Sequence, residues 1–237
     1  MIDTQRPLLR FPDSTAILAP SFLGSISRYA LIGAYGNAIV DTSARFDKRF
    51  KSTHRTAIAD VNGEMKLTLP ISKPESLTRA TWSDIRLSDH GQWWHLHLTA
   101  LESAYGRTPF FEYYIDRFAH FFTKEAIDDY ESLVNYDQDL ENVICEILGI
   151  KPPEYQPLDQ AYCGSDSSHT TPNQETTLDS TRREPQFDIP PYSQVRADRL
   201  GFIPDLSIVD LIFNVGPEAP LLLKKVVDQI SLPPQSL

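Results

Sequence analysis

From the N-terminus to about residue 90, the chain alternates short apolar runs with turn signals. The runs at 15–19 and 38–40 are typical of buried strands, and residues 25–36 between them have the spacing of a helix. At 54–70, two more runs flank Asn62-Gly63, the strongest short signal for a hairpin turn. This part of the chain therefore predicts strands with one early helix.

The period of the apolar positions changes at residue 92, where three- and four-residue spacing begins. The segments that this spacing predicts to be helical are 92–105, 110–124, 128–148 and 221–230. Strands followed by helices indicate an α/β fold, in which a small mixed sheet from the N-terminal part is packed by helices. We expect a single domain with an insertion.

The composition of residues 152–194 differs from the rest, because these 43 residues include seven prolines, ten Ser or Thr and only three of Leu, Ile or Val. A segment so poor in apolar side chains buries too little surface to offset its ordering entropy. We therefore predict a disordered insertion at 152–190. It divides the chain into a tail at 1–15, a main part at 16–151 and a C-terminal part at 191–232.

The chain is acidic, with 32 Asp and Glu against 22 Lys and Arg in 237 residues and a formal net charge of −10. This charge disfavours a general affinity for nucleic acid or for an anionic membrane surface. No stretch approaches the roughly 18 apolar residues of a spanning helix, and the N-terminus lacks the apolar core of a secretory signal. We expect a cytoplasmic protein without a membrane span.

Glycine-rich phosphate loops, hydrolase nucleophile elbows and metal-ligand spacings are missing from the sequence. Cys145 and Cys163 do not form a Cys-x-x-Cys pair, and His95 and His97 point to different faces of a predicted helix. We therefore expect neither a metal site nor a cofactor. The sequence carries no signal for an oligomeric state.

One helical stripe combines apolar residues with polar-tipped ones: Trp93, His97, Leu101 and Tyr105 recur every four residues. A buried His or Tyr must find a hydrogen-bond partner, so the stripe is consistent with a structural histidine in a satisfied core. The alternative is a pocket wall, in which His97 serves as acid, base or orienting donor near neutral pH.

A basic cluster stands between two predicted strands of this acidic chain. Its members are Arg45, Lys48, Arg49, Lys51, His54 and Arg55. Arginine recognises phosphate or carboxylate through two parallel hydrogen bonds, so the cluster is a candidate anion site. A solvated basic surface is the alternative.

Asp210 interrupts the apolar run at 206–213, where an unpaired buried carboxylate is costly. Three interpretations are open: Asp210 pairs with a buried arginine, caps a backbone turn, or lines a site. By spacing alone, Ser207 is a helix N-cap and Asp210 occupies the third helical position.

Several strings of the sequence form a recognisable set. They are His-Arg-Thr-x-Ile at 54–58, Trp-x-x-x-His-x-x-x-Leu-Glu-Ser-Ala-Tyr at 93–105, Pro-Phe-Phe-Glu-Tyr-Tyr at 109–114, Tyr-x-Gln-Val at 192–195, and Gly-Phe-Ile-Pro-Asp-Leu-Ser-Ile-Val-Asp-Leu-Ile-Phe-Asn-x-Gly-Pro at 201–217. On these strings the chain resembles the WbqC-like family of bacterial proteins, over about 16–150 and 190–226.

Members of this family occur among proteins of surface-polysaccharide and O-antigen production, so the resemblance implies a role near nucleotide-linked or lipid-linked sugars. We expect a transferase-like enzyme of glycan precursor biosynthesis that binds an anionic small molecule, such as a nucleotide sugar. The alternative is a non-catalytic binding or scaffold protein of the polysaccharide machinery.

The polar residues of the matching strings form the candidate site. The expected catalytic residues are His97, Asp210 and Tyr105, and the expected substrate-binding residues are His54, Arg55, Gln194, Tyr192 and Trp93. We further predict that Asp210 pairs with Arg55 and that their two motifs meet in space.

Overall fold

The computed structural model describes residues 8–72, 74, 79–158, 177–180 and 185–230. The strands are β1 (Phe11–Leu18), β2 (Tyr35–Asp41), β3 (Arg55–Asp60), β4 (Gly63–Thr68), β5 (Ile71–Ser72), β6 (Arg86–Leu87), β7 (Glu154–Gln156) and β8 (Thr177–Ser180). The helices are α1 (Ile26–Ala34), α2 (Trp93–Tyr105), α3 (Phe111–Tyr114), α4 (Asp116–Ala119), α5 (Lys124–Asp129), α6 (Leu133–Leu148), α7 (Ala197–Leu200), α8 (Ile208–Val215) and α9 (Ala219–Val227). Strands and helices share one hydrophobic core, which confirms the α/β class.

The central sheet has four strands in the order β7-β2-β1-β8, and every neighbouring pair is parallel. After β1 the chain adds β2 and then β7 on one side, and it then crosses to the other side of β1 to add β8. The direction of strand addition therefore reverses between β1 and β8. The antiparallel pairs of the described residues, β3–β4 and β5–β6, lie outside this sheet.

The hairpin predicted around Asn62-Gly63 is confirmed as β3 and β4. Gly63 has a φ of 113°, a conformation that favours glycine. Ile58 and Leu67 point into the core from one face of the hairpin. Arg55 and Lys66 lie on the opposite face, because successive side chains of a strand alternate between its two faces.

Helix α2 confirms the predicted stripe, since Trp93, His97, Leu101 and Tyr105 are all buried. Two other predicted helices are divided by capping hydroxyls. The Thr123 hydroxyl accepts the Ala126 N–H and begins α5, and the Ser132 hydroxyl accepts the Asn135 N–H and begins α6. In place of one helix at 110–124, the chain forms the two short helices α3 and α4 and then begins α5 at Lys124. The helix predicted at 128–148 starts only at Leu133. None of the described helices has both the length and the apolarity that crossing a membrane requires.

Helix α1 is buried along nearly its whole length and yet carries a charged residue, Arg28. Arg28 and Glu141 of α6 are each 1% exposed and form a two-pronged ion pair, with Nε–Oε1 at 2.7 Å and Nη2–Oε2 at 3.2 Å. Arg28 Nη1 also donates to the Ala19 carbonyl at 2.8 Å, and the Tyr155 hydroxyl donates to Glu141 Oε2 at 2.9 Å. A buried charge is tolerated when it is paired and hydrogen-bonded in this way.

Asp137 lies one helical turn before Glu141 and is fully buried, with no hydrogen-bond partner for either carboxyl oxygen among the described residues. Burial raises the pKa of Asp137, the nearby Glu141 raises it further, and Arg28 acts in the opposite direction. The protonated form of Asp137 is therefore favoured, which avoids placing a second carboxylate charge beside Glu141.

Two strands of the central sheet come from the segment predicted to be disordered, 152–190. Strand β7 pairs with β2 and β8 pairs with β1, so the described parts of the segment form strands and the prediction is corrected there. An edge strand is held largely by main-chain hydrogen bonds to its neighbour, which a count of apolar residues does not register. The other residues of the predicted insertion, 159–176 and 181–184, lie outside the described residues. The domain boundaries stay predictions.

We expect Tyr155→Phe to lower the free energy of unfolding by about 1–3 kcal/mol, because it leaves the buried Glu141 carboxylate with one hydrogen bond fewer. Chemical denaturation of the full chain measures this change. Tyr130→Phe is the matched control, since Tyr130 donates to Asp139 at the surface. Equal stability of the two variants would contradict a structural role for the Tyr155 hydroxyl.

Candidate functional site

A pocket of about 330 Å³ opens beside the loop that follows β1. The loop contributes Ser21, Phe22, Gly24 and Ser25 to the lining. The remaining lining residues are Lys51, Ser52, Arg55, Thr56, Ala57, Lys66, Pro185, Gln186, Asp205 and Ser207. Ten of these fourteen lining residues are polar or charged, and together they combine segments that are distant in sequence.

The pocket lies where the strand order of the central sheet reverses. The loop at 19–25 leaves the carboxyl end of β1, and Pro185 and Gln186 follow β8 along the chain. In open α/β sheets, ligands bind in the crevice outside the carboxyl ends of the strands at such a reversal. The topology therefore identifies this pocket as the candidate site.

Three cationic side chains line the pocket: Lys51, Arg55 and Lys66. The hairpin pairing places Arg55 opposite Thr68 and Lys66 opposite Ala57, so the two cations lie diagonally on one face. Arg55 Nε donates to Thr68 Oγ1 at 3.0 Å, which orients the guanidinium group. Its terminal nitrogens make no hydrogen bond to the described residues, so they are available to an anion.

The first residues of α1 and α8 meet at the pocket. Ser25 and Ser207 form an antiparallel bridge, in which Ile26 N–H donates to the Leu206 carbonyl at 3.1 Å and Ile208 N–H donates to the Gly24 carbonyl at 2.9 Å. Helix N-termini carry partial positive charge, and two of them here adjoin the cationic face of the hairpin.

Asp205 supplies the carboxylate of the pocket lining. Its Oδ1 accepts the Ser27 N–H at 2.8 Å, so the carboxylate caps the first turn of α1. The charge of Asp205 is thereby directed to a helix N-terminus, where negative charge is stabilising.

The hydroxyls of Thr56 and Ser207 both donate to the Leu23 carbonyl, each at 2.8 Å. Leu23 has a φ of 44°, a left-handed conformation that a side chain makes unfavourable. The two hydrogen bonds hold this residue and so fix the course of the loop. Ser207 is the N-cap of α8 with Asp210 at the third helical position, as predicted, although its hydroxyl bonds Leu23 rather than its own helix.

The loop also depends on Gly24. A Cβ atom on Gly24 would lie 2.4 Å from Cδ of Arg28. The Arg28 stem therefore occupies the space where a side chain of residue 24 would lie. Sequence reasoning missed this contact and the Arg28–Glu141 pair, because a single arginine in an apolar run carries no signal of its partner.

His97 lies behind the pocket wall and does not line the pocket. Its ring is stacked near Phe22, with the ring centres 6.0 Å apart, and lies 5.2 Å from the Trp93 ring. Burial lowers the pKa of His97 to about 4, and a hydrogen bond to the main chain of Thr68 acts in the opposite direction. His97 is therefore neutral near pH 7 and separated from the pocket by Phe22.

Asp210 is the centre of a buried polar cluster that contains three other predicted site residues. Its Oδ2 accepts hydrogen bonds from the Tyr192 hydroxyl and from Gln194 Nε2, the latter at 3.0 Å, and the Tyr105 side chain also hydrogen-bonds the carboxyl. Tyr105 in turn accepts the Ala59 N–H at 3.1 Å. Burial raises the pKa of Asp210, although these hydrogen bonds act in the opposite direction.

The predicted ion pair between Asp210 and Arg55 is wrong. Tyr192, Gln194 and Tyr105 hold Asp210, whereas Arg55 bonds Thr68 and faces the pocket. The two motifs nevertheless meet, because Ser207 N–H donates to the Ala57 carbonyl at 2.8 Å.

Only Arg55 of the eight predicted site residues lines the pocket. His54, which precedes Arg55 in the sequence, is buried. The indole N–H of Trp93 donates to the Ser88 carbonyl at 2.8 Å. Catalytic roles for His97, Asp210 and Tyr105 stay predictions. Sequence reasoning missed Lys66, although the predicted hairpin register would have placed it on the same face as Arg55.

Among the described residues, no group of three or more His, Cys, Asp and Glu side chains is arranged to hold a metal ion.

We expect His97→Gln to flatten the rise of stability with pH between about 4 and 6.5. The folded chain binds a proton at His97 near pH 4, whereas an unfolded histidine binds one near 6.5. The stability contributed by neutral His97 is therefore present above pH 6.5 and is lost as the pH falls towards 4, with a slope of at most about 1.4 kcal/mol per pH unit. Denaturation of the full chain across this range measures the slope, and His95→Gln, an exposed position on the same helix, is the matched control. If the slope of unfolding free energy against pH were unchanged in His97→Gln, neutral His97 would not be the source of this pH dependence.

Comparison with known proteins gives a family but no individual relative. The model of the WbqC-like protein family matches residues 29–182. The search of curated proteins and the search of solved structures each find no match to the chain. Because the family model covers more than half of the sequence, the chain belongs to the WbqC-like protein family.

Proposed function

We propose that the chain binds an anionic sugar precursor, such as a nucleotide-linked sugar, in the pocket lined by Lys51, Arg55 and Lys66. We propose further that it acts there as a transferase-like enzyme of surface-polysaccharide or O-antigen production in the cytoplasm. The proposal that the chain binds an anion is supported by the residues that line the pocket. The proposed role in surface-polysaccharide or O-antigen production is supported by the family to which the chain belongs.

The observation that carries the proposal is the cationic face of the hairpin at the strand-order reversal. Arg55 is held by Thr68 with its terminal nitrogens directed to no described partner, and Lys66 lies diagonally across from it. A guanidinium group fixed in this way is suited to a phosphate, which accepts two parallel hydrogen bonds. Lysine adds charge without strict geometry.

The net charge of the chain strengthens this interpretation. The formal net charge of −10 gives the chain no general attraction for anions. Lys51, Arg55 and Lys66 would therefore attract an anion only over the short distances within the pocket. The diphosphate of a nucleotide sugar carries about −2 charges at pH 7, one on each phosphate, and a phosphate monoester carries about −1.5 to −2. Three cations and one carboxylate, with a net charge of +2, complement either group.

The predicted catalytic residues have a positioning role in this proposal. Asp210 lies one helical turn beyond Ser207, which lines the pocket. His97 packs against Phe22, which also lines it. These residues hold the walls of the pocket, whereas Arg55, Lys51 and Lys66 contact the ligand.

A non-catalytic binding protein is the second candidate, and one observation favours it. Among the described lining residues there is no histidine or cysteine, and the carboxylate of Asp205 already accepts the Ser27 N–H. A general base for transfer chemistry is therefore not evident in the pocket wall.

We expect Arg55→Gln and Lys66→Gln each to weaken the binding of a nucleotide sugar about 10- to 100-fold, since each removes a charged hydrogen bond to phosphate. Titration calorimetry of the full chain with UDP-glucose and GDP-mannose measures the affinities. Lys225→Gln is the matched control, because Lys225 lies on α9 and does not line the pocket.

Unchanged affinity in both pocket variants would contradict the proposed site. Incubating the bound protein with its nucleotide sugar and a glycan acceptor, and following nucleoside diphosphate release by phosphorus NMR, separates the two candidates. Arg55-dependent release supports the transferase, and tight binding without release supports the binding protein.

A further inference from the structure

The outer face of the β3–β4 hairpin carries two of the pocket cations beside a small side chain. Arg55 and Ala57 of β3 lie on the same face as Lys66 of β4, and Ala57 is directly opposite Lys66. All three residues line the pocket. Because alanine carries only a methyl group, the part of β3 that faces Lys66 has no bulky side chain. A ligand can therefore lie along the hairpin and contact both cations.

The two cationic groups are held at different places along this face. Arg55 Nε donates to Thr68 Oγ1 at 3.0 Å, and Thr68 is the residue directly opposite Arg55. Lys66 Nζ instead lies 3.6 Å from Oε1 of Glu64, which is two residues nearer the hairpin turn. The guanidinium group is therefore held at the end of the hairpin away from the turn, and the ammonium group is drawn towards the turn.

The strand register separates the two groups further. Arg55 and Lys66 are diagonal neighbours of an antiparallel pair, whose Cβ atoms are typically about 7–8 Å apart. Their charged groups diverge from there, because Thr68 and Glu64 lie on opposite sides of Lys66 along β4. A single phosphate that accepts two parallel hydrogen bonds from Arg55 is poorly placed to reach Lys66, whereas a second, linked phosphate extends towards it.

Lys51 lies at the Arg55 end of the hairpin. The His54 N–H donates to the Lys51 carbonyl at 3.1 Å, in a turn that leads directly into β3. The pocket cations are thus divided, with Lys51 and Arg55 at one end and Lys66 at the other. The carboxylate of the lining, Asp205, accepts the Ser27 N–H at the start of α1.

The contact between Lys66 and Glu64 is easily exchanged for a contact with a ligand. The two side chains are 62% and 48% exposed. An ion pair in such an exposed setting contributes little to stability. A phosphate that arrives at Lys66 can take the place of Glu64, although the Glu64 charge competes with it. Glu64 therefore keeps Lys66 apart from Arg55 and lowers the affinity for an anion at Lys66.

We infer that the pocket recognises a diphosphate, with one phosphate on Arg55 and Lys51 and the second on Lys66 in exchange for Glu64. The inference rests on the proposed function and makes it more specific, because two linked phosphates are the recognised group and a single phosphate ester binds more weakly. The pocket volume of about 330 Å³ is at the small end of the range for ligand pockets, which suits a compact group of this kind.

The first test compares two small probes on the full-length protein by titration calorimetry. Methyl phosphate and dimethyl diphosphate with one methyl group on each phosphate carry about the same charge at pH 7, on one phosphate and on two respectively. Neither probe contains a base or a sugar. We expect dimethyl diphosphate to bind at least about 10-fold more tightly, which is the effect of one additional charged hydrogen bond. Equal affinities, or tighter binding of methyl phosphate, would overturn the inference.

The second test uses two variants of the hairpin face. Lys66→Gln should reduce the preference for dimethyl diphosphate over methyl phosphate about 10-fold. Glu64→Gln should instead tighten the binding of dimethyl diphosphate about 2- to 5-fold, because the competing carboxylate is removed. Both residues are exposed, so we expect both variants to fold.

Glu146→Gln is the matched control for Glu64→Gln. It removes an exposed carboxylate that pairs with Arg117 and does not line the pocket, so the affinities for both probes should stay unchanged. Weaker binding of dimethyl diphosphate in Glu64→Gln, or an unchanged preference in Lys66→Gln, would contradict the inference.

A diphosphate can belong to a nucleotide or to a lipid carrier, and a third comparison distinguishes the two. The full chain is titrated with UDP and with geranyl diphosphate, which present the same diphosphate on different carriers. Tighter binding of UDP assigns the diphosphate to a nucleotide, and tighter binding of geranyl diphosphate assigns it to a lipid. Either result supports the inference if Lys66→Gln weakens that binding about 10-fold, and binding that Lys66→Gln leaves unchanged overturns it.

Failure of the inference is distinguishable from failure of the proposed function. If methyl phosphate and dimethyl diphosphate bind equally and Arg55→Gln abolishes the binding of both, the inference fails and the proposed site stands. If neither probe binds and UDP-glucose and GDP-mannose do not bind either, both fail.

Discussion

The buried ion pair between Arg28 and Glu141 sets the shape of the loop on which the pocket is built. The guanidinium group is held by Glu141 and by the Ala19 carbonyl, and its stem passes against Gly24. Residues 19–24 thus wrap around a charged side chain with almost no contact with water. Breaking such a pair from one side costs about 3–5 kcal/mol, a large share of the total stability of a typical domain.

The same pair joins elements that are far apart in the sequence, since Arg28 and Glu141 are 113 residues apart. Glu141 receives Arg28 from α1 and Tyr155 from β7, so helix α6 is connected to both the first crossover and an edge of the sheet. Hydrophobic contacts are not directional, whereas a two-pronged ion pair fixes register. The pair therefore gives the pocket loop a defined position relative to the sheet, beyond what packing alone provides.

Local signals in the sequence predicted much of the fold. The Asn62-Gly63 turn, the stripe of α2 and the Ser207 N-cap each depend on neighbours within a few residues, and each is present. Gly149 ends α6 in the left-handed conformation, which favours glycine. Features that depend on distant partners were not predictable in this way.

Strands β7 and β8 show what local sequence signals do not predict. They pair with β2 and β1 through main-chain hydrogen bonds, and Tyr155 and Leu178 pack against the core. Two such side chains hardly distinguish these strands from a linker in the sequence. The pocket was only partly predictable for a related reason. The basic cluster indicated an anion site, but the periodicity that singled out His97 is the same for a pocket wall and for a core position. Only the packing of Phe22 over His97 separates the two.

The bridge between Ser25 and Ser207 builds the pocket from two segments that are far apart in the sequence. During synthesis, the loop after β1 emerges well before Asp205 and Ser207. The bridge and the Asp205 cap of α1 are therefore missing from any nascent chain that stops before these residues. A ligand bound at the proposed site would favour the bridged state, and it would therefore oppose the separation of the loop after β1 from residues 205–207. Binding at this pocket would thus stabilise the contact between two segments that are about 180 residues apart in the sequence.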